Sequence, residues 1–133
     1  MKILVIDGMG GGIGKAIIEQ IKNVLGDSAT ITAVGTNSIA TSAMLKAGAD
    51  NAATGENAVI YNAGRADYII SVIGIIAANS MHGEVSPKMV QAVSESDAHK
   101  ILVPIDKCNI TVAGVVPMPI QAYIADVIEK LNG

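Results

Sequence analysis

The stretch Lys2-Ile3-Leu4-Val5-Ile6-Asp7-Gly8-Met9-Gly10-Gly11-Gly12-Ile13-Gly14-Lys15 decides the fold of this chain. Ile3 to Ile6 form a continuous apolar run closed by Asp7-Gly8, the pattern of a strand buried on both faces. Five glycines and a lysine then share the eight positions from 8 to 15. Beyond them Ile13, Ile17, Ile18, Ile21, Val24 and Leu25 recur at helical spacing, with Gly26 placed to close the helix. Each glycine costs backbone entropy, so five in one turn need a close approach or an unusual backbone to justify them.

The same alternation continues outward. Thr30 to Val34 reads as a second strand, Ser38 to Ala47 as a short helix lined by Ala and Met and ended by Gly48, and Ala49 to Thr54 as a third strand. Glu56 to Ala63 reads as a helix, although its NAVIYNA fits a strand equally. Asp67 to Ile73 is a strong strand. Ser86-Pro87 opens a helix running to Ser94, because serine caps and proline fits the first turn. Strands follow at Lys100 to Pro104 and Ile110 to Val115, then a last helix from Pro119 to Leu131. This pattern predicts an α/β fold: a single Rossmann-like three-layer domain over residues 1–133, with a mostly parallel sheet of five to six strands.

A chain of 133 residues is long enough to bury a core without staples. That core must be made of Ile, Val, Ala, Leu and Met, because there is no Phe or Trp and only Tyr61, Tyr68 and Tyr123 are aromatic. The net charge is -3, with Arg65 the sole arginine and eight scattered lysines, so no basic face exists for nucleic acid. Cys108 stands alone, which forbids an intrachain disulfide and points to a reducing compartment. Met1-Lys2 meets the apolar strand and Asp7 at once, leaving no room for a signal peptide. The longest apolar stretch, Tyr68 to Ala78, falls short of the ~20 residues of a membrane helix. A cytoplasmic protein without membrane attachment is expected.

A glycine run between a buried strand and a helix meets the structural condition for a phosphate-binding turn: unpaired N–H groups, a positive dipole end and no side chains in the way. The loop Gly8, Gly10, Gly11, Gly12, Ile13, Gly14 with Lys15 is the candidate cradle. The string DGMGGGIGKAI resembles the cofactor loop of the short-chain dehydrogenases over the first 25 or so residues. Their TyrxxxLys pair has no counterpart, since Tyr61 is followed four on by Arg65, Tyr68 by Val72 and Tyr123 by Val127. Gly11 to Lys15 also resembles the core of a Walker A loop, but Met9 replaces its first glycine and Ala16 its magnesium-binding Ser or Thr. Nicotinamide sites often place an acidic residue at the end of the second strand. Here that strand ends in Val34-Gly35-Thr36-Asn37, neutral and polar and with no arginine nearby, so neither NAD nor NADP is specifically indicated; the glycine loop itself points to a nucleotide such as NAD(P), with its identity left open. The structural alternative is that the glycines serve only helix-against-strand packing and Lys15 is solvated.

In open parallel sheets, ligands sit outside the carboxyl ends of the strands. That edge should collect the glycine loop, Thr36-Asn37-Ser38, Thr54 to Asn57, Gly74 through Asn79-Ser80, and Asp106-Cys108-Asn109. Thr36, Asn37, Asn57 and Asn79 are the candidate polar contacts. Asn79-Ser80-Met81-His82-Gly83-Glu84 is the most enzyme-like segment. His82 and Glu84 are candidate acid-base groups, and two residues apart on an extended segment they would face one pocket. The ordinary alternative is a surface turn before a capped helix. His99 should sit solvated at the opposite edge. Cys108 has no flanking histidine or second cysteine and reads as a buried or partly buried inert thiol. Two histidines and one cysteine, widely spaced, give no metal signature.

Ile73 to Ala78 and Ile110 to Val116 lack a polar face, so they need cover from this domain or a second copy. A homo-oligomer, preferably a dimer, is expected. End to end, DGMGGGIGK, AVGTNSIAT, KAGADNAATGEN, GIIAANSMHGEVSPKM and ILVPIDKCN resemble a bacterial family of short Rossmann-like proteins, a domain of unknown function (DUF3842). That resemblance brings a fold and no activity. Three functions follow: a module binding a phosphate-bearing nucleotide or dinucleotide, a small enzyme using His82 and Glu84, or an assembly subunit without ligand.

Overall fold

The computed structural model describes residues 1–105 and 108–132. Five strands, β1 (Lys2–Asp7), β2 (Thr30–Gly35), β3 (Asn51–Thr54), β4 (Tyr68–Val72) and β5 (His99–Val103), form one sheet in the order β3-β2-β1-β4-β5. All four pairings are parallel, with Ile3 opposite both Ile31 and Tyr68 in the centre. Helices α1 (Gly12–Leu25), α2 (Ser38–Lys46), α3 (Glu56–Ala63), α4 (Pro87–Glu95) and α5 (Ile120–Asn132) complete the three layers. The α/β, Rossmann-like architecture expected from the alternation is present.

Strand alternation divides the core in two. Ile3 and Val5 point to one face, where Ile17, Ile18 and Ile21 of α1, Met44 of α2 and Ile124 of α5 cover them. Leu4 and Ile6 point to the other, beneath Val59 of α3 and Met89 and Val93 of α4. The central strand is therefore apolar on both sides, and β1 is the most protected element of the sheet. Caps fix two helix starts. The Asn37 side chain accepts the N–H of Ala40 at 2.9 Å, and Ser86 accepts that of Met89 at 3.2 Å with Pro87 behind it.

Three expectations are corrected or resolved. Ile110 to Val115 forms no strand; Val115 N–H instead donates to Val112 O at 3.3 Å around Gly114, whose φ is +83°. Apolar β-branched composition satisfied strand propensity there, but a strand also needs a ladder partner, and Pro117 and Pro119 remove two donors just beyond. The ambiguous NAVIYNA is helical, with Val59 and Ala63 buried four apart. The apolar run after β4 leaves the strand at Val72 and turns as a short 3-10 helix, Ile73–Ile76, which buries Ile73 and Ile75 within the domain and exposes Ile76.

Candidate functional site

The order of strand addition reverses at β1: β2 and β3 are laid down on one side of it, and β4 and β5 on the other, all in the same direction. Crevices form at such switch points because neighbouring loops leave in opposite directions. A cavity of about 640 Å³ lies there, at the carboxyl ends of β1 and β4. Its floor is Asp7 and the turn from Gly8 to Ile13, and its walls include Val72, Gly74, Met81, His82, Cys108 and Ile120. The volume falls within the ~300–1,000 Å³ range of small-molecule sites.

The five glycines separate into two groups. A Cβ on Gly8 would lie 2.5 Å from Met81 Sδ and Thr36 Oγ1, and one on Gly14 would lie 2.6 Å from Met44 Sδ. Gly11 has φ +75°, and its Cβ would meet Ala40 Cα at 2.8 Å. Gly11 is required by the turn and by Ala40 backbone, Gly14 by packing that includes Asp7 Cβ at 2.9 Å, and Gly8 is crowded by side-chain ends. Gly10 and Gly12 are different, because a Cβ on either would meet nothing within 4 Å and neither has a positive φ. Both face the cavity.

Hydrogen bonding of the turn shows a parallel division. Gly8 N–H and Gly14 N–H donate to the Asp7 carboxylate, Met9 N–H to Glu84, Gly11 N–H to Gly8 O, and Lys15 N–H to Gly11 O. Among the described residues, the N–H groups of Gly10, Gly12 and Ile13 have no acceptor. They are the donors that the start of α1 presents.

Unusual backbone conformations gather at the same place. Among the described residues, six that are not glycine have positive φ: Met9, Asn79, Met81, His82, Cys108 and Asn109. Four of them, Met9, Met81, His82 and Cys108, line the cavity. Left-handed backbone is costly for side chains with a Cβ and concentrates where a site must be held in shape.

These windings overturn the expectation that 79–84 is extended with His82 and Glu84 side by side. His82 is exposed at the cavity wall, whereas Glu84 turns toward the ends of β1 and β2. There Glu84 Oε1 accepts the Thr36 hydroxyl at 2.5 Å, the Asn37 amide at 3.1 Å and Met9 N–H at 3.2 Å. The Thr36 bond foremost, with those of Met9 and Asn37 and the nearby His82 adding to it, holds the Glu84 carboxyl below its ordinary range despite partial burial. A carboxylate so held is an anchor for the loop, and it is ionised throughout the neutral range.

Over residues 2–133 the sequence matches one protein family. The chain belongs to the domain of unknown function DUF3842. Comparison with curated proteins returns no match. Among solved structures, the DUF3842 chain is similar to the crystal structure of a dodecameric FMN-dependent Ubix-like decarboxylase from Escherichia coli O157:H7, at 14% identity and a TM-score of 0.50. That likeness covers 100% of this chain and 95% of the other, and it establishes a shared fold.

The remaining sequence candidates fall elsewhere on the DUF3842 domain. Gly14 is buried under the loop, and Lys15 is exposed in a groove with Ser38, Ser42 and Lys46 between α1 and α2. Thr36 and Asn37 spend their donors on Glu84 and, for Asn37, also on Met9 O at 2.9 Å. Asn57 lines a separate groove beside β3. Asn79 is exposed, and its backbone N–H closes on Val85 O at 2.7 Å. His99 is exposed at the start of β5 with its ring edge-on to Tyr68. Cys108, expected to be a buried or partly buried thiol, is exposed and lines the cavity. Asp106 lies outside the described residues. Asp7, Met81 and Ile120 were not singled out by sequence; Asp7 alone carried a signal, an acid at the strand end facing a glycine seven residues on.

Proposed function

We propose that this chain binds a phosphate-bearing nucleotide in the crevice, its phosphate taken by the N–H groups of Gly10, Gly12 and Ile13 at the positive end of α1. The observation that carries this is the pair Gly10 and Gly12: they face the cavity, and nothing in the fold requires them to be glycine. An absent Cβ leaves room for an anion to reach the backbone. Val72, Met81, Ile13 and Ile120 supply apolar walls suited to a planar ring, and the solved neighbour is FMN-dependent, so a flavin mononucleotide is the first ligand to try. The fit is through backbone donors and apolar contact; no arginine lies at the cavity.

Within this reading His82 is the acid-base candidate at the ligand, and Glu84 is a support. The domain acts in the cytoplasm as a homo-oligomer. Self-association is supported by the exposed run from Thr111 to Gln121, which carries Val112, Val115, Val116, Met118 and Ile120 and no charge. The neighbour's dodecamer is an instance of this fold assembling with itself. No helix among the described residues is long and apolar enough to cross a membrane.

The test is thermal unfolding of ligand-free protein against FMN, AMP, NAD, NADP and inorganic phosphate, repeated with Gly12→Val. A ligand at 100 times its Kd adds about 2.7 kcal/mol. A shift for a phosphate-bearing ligand that Gly12→Val abolishes is expected. No shift with any of them, or one that survives Gly12→Val, sinks the proposal and leaves the glycines a packing role.

A further inference from the structure

A dinucleotide lies across a Rossmann switch point with its pyrophosphate at the glycine turn. One nucleoside rests on the side of the second strand, whose end takes the ribose hydroxyls, and the other rests on the opposite side. In this chain the two sides of the turn differ. Toward β4 the crevice is open, bounded by Val72, Gly74, His82, Cys108 and Ile120. Toward β2 it is filled by the chain's own segment between the 3-10 turn and α4.

The filling is tight. Met81 Sδ and Glu84 Oε1 would lie 2.5 and 2.9 Å from a Cβ on Gly8, so this segment packs directly on the loop and even a methyl group there would have to displace its side chains. The side chains at the end of β2, which would otherwise meet a ribose, donate to Glu84: Thr36 at 2.5 Å and Asn37 at 3.1 and 3.2 Å to its two oxygens. The segment is fixed at both ends, by Ser80 Oγ donating to Gly74 O at 2.6 Å and by Val85, fully buried in the core. The Glu84 carboxylate beside the turn also repels a second phosphate group placed on that side.

We infer that Glu84 and Met81 are specificity-determining residues that close the β2 side of the crevice, so that the site takes a mononucleotide and rejects dinucleotides. This rests on the phosphate-binding reading of the glycine turn and narrows its ligand class. The Glu84 carboxylate occupies the place of a ribose-binding acid, yet it reaches that place from the β4–α4 connection and bonds to protein.

The experiment is calorimetric titration of the purified chain with two matched pairs, FMN against FAD and AMP against NAD, and with inorganic phosphate as competitor. Each larger ligand contains the smaller one, so only the added nucleotide differs. The expected result is at least tenfold weaker binding of the dinucleotide of whichever pair binds, with the gap narrowed in Glu84→Ala or in Met81→Ala. Equal binding within a pair, with phosphate competing, overturns the inference and leaves the phosphate site standing. Failure of every ligand including phosphate overturns both. Discrimination in the unaltered protein is itself decisive if either variant does not fold.

Discussion

Asp7 and Gly14 close the strand-to-helix turn across seven residues: Asp7 Oδ2 accepts the Gly14 N–H at 2.7 Å while Oδ1 accepts that of Gly8 at 2.8 Å. Asp7 is 5% exposed, so these bonds are made largely away from water, where they are strongest. It satisfies one of the orphan donors of α1 and fixes the helix start relative to β1. Asp7→Asn keeps the shape but offers one acceptor oxygen and turns an NH₂ toward an N–H. A loss of about 1–3 kcal/mol is expected, read as a lower urea midpoint with unchanged slope. An unchanged midpoint would show that the turn holds without this clamp.

The division among the glycines can be tested without any ligand. Gly11→Ala must adopt φ +75° and place its Cβ 2.8 Å from Ala40 Cα, so it should be strongly destabilised or fail to fold. Gly12→Ala sits in open space at the first residue of α1 and should range from neutral to about 1 kcal/mol more stable, since alanine is the better helix former. Thermal midpoints of the two variants measure this directly. Equal losses would mean that Gly12 is also a packing residue, and the case for an anion cradle would weaken with it.

What the sequence made legible was local. The strand Ile3 to Ile6, its Asp-Gly end and the helical spacing of Ile17, Ile18 and Ile21 are set by near neighbours, and all fold as read. Asn37 was legible as a polar residue at the sheet edge. Its partner Glu84, 47 residues on, was not, because no short-range pattern announces which turn will fold back over β2. Ile120 reaches the cavity from the start of α5 for the same reason. The false strand at Ile110 to Val115 marks the limit of composition: propensity describes a residue on a sheet, and whether the sheet offers an edge is a tertiary fact. Glycine identity was visible from the start, but which glycines the fold needs became clear only from what surrounds each one.

Acid should weaken the fold in a defined window. Glu84 is held below its ordinary range chiefly by the Thr36 hydroxyl, and Asp50 chiefly by the N–H of Ile31, with the Lys22 ammonium at 3.0 Å adding to it. A carboxyl whose pKa is lowered by folding binds fewer protons folded than unfolded. Its contribution is therefore complete above the ordinary value, about 4, and is lost as pH falls through the depressed folded value. The thermal midpoint should hold steady from neutrality to about pH 5 and decline below about pH 4. Glu84→Gln should have a lower midpoint at neutral pH and a shallower acid decline. An identical slope in the variant would show that Glu84 contributes nothing to the acid limit.

The uncharged run beyond β5 makes the last prediction. Val116 is 72% exposed, and it lies among eleven consecutive exposed residues, Thr111 to Gln121. A continuous apolar strip of this kind is uncommon on a monomer and marks a contact surface. Removing it should therefore change assembly and leave the fold alone. Val116→Glu puts a charge at the centre of the strip without touching the buried core, so its effect on unfolding of the isolated chain should stay within about 0.5 kcal/mol. Light scattering on the unaltered protein should give a multiple of the 13.6 kDa chain mass, and Val116→Glu should move it toward that mass. A wild-type mass equal to one chain, or an oligomer that the charge does not disturb, would remove the strip as the self-association surface. Because Ile120 belongs to both the strip and the cavity wall, dissociation should also open one side of the ligand site. Any ligand that binds the unaltered oligomer should then bind Val116→Glu more weakly, which ties assembly to ligand affinity in a single measurement.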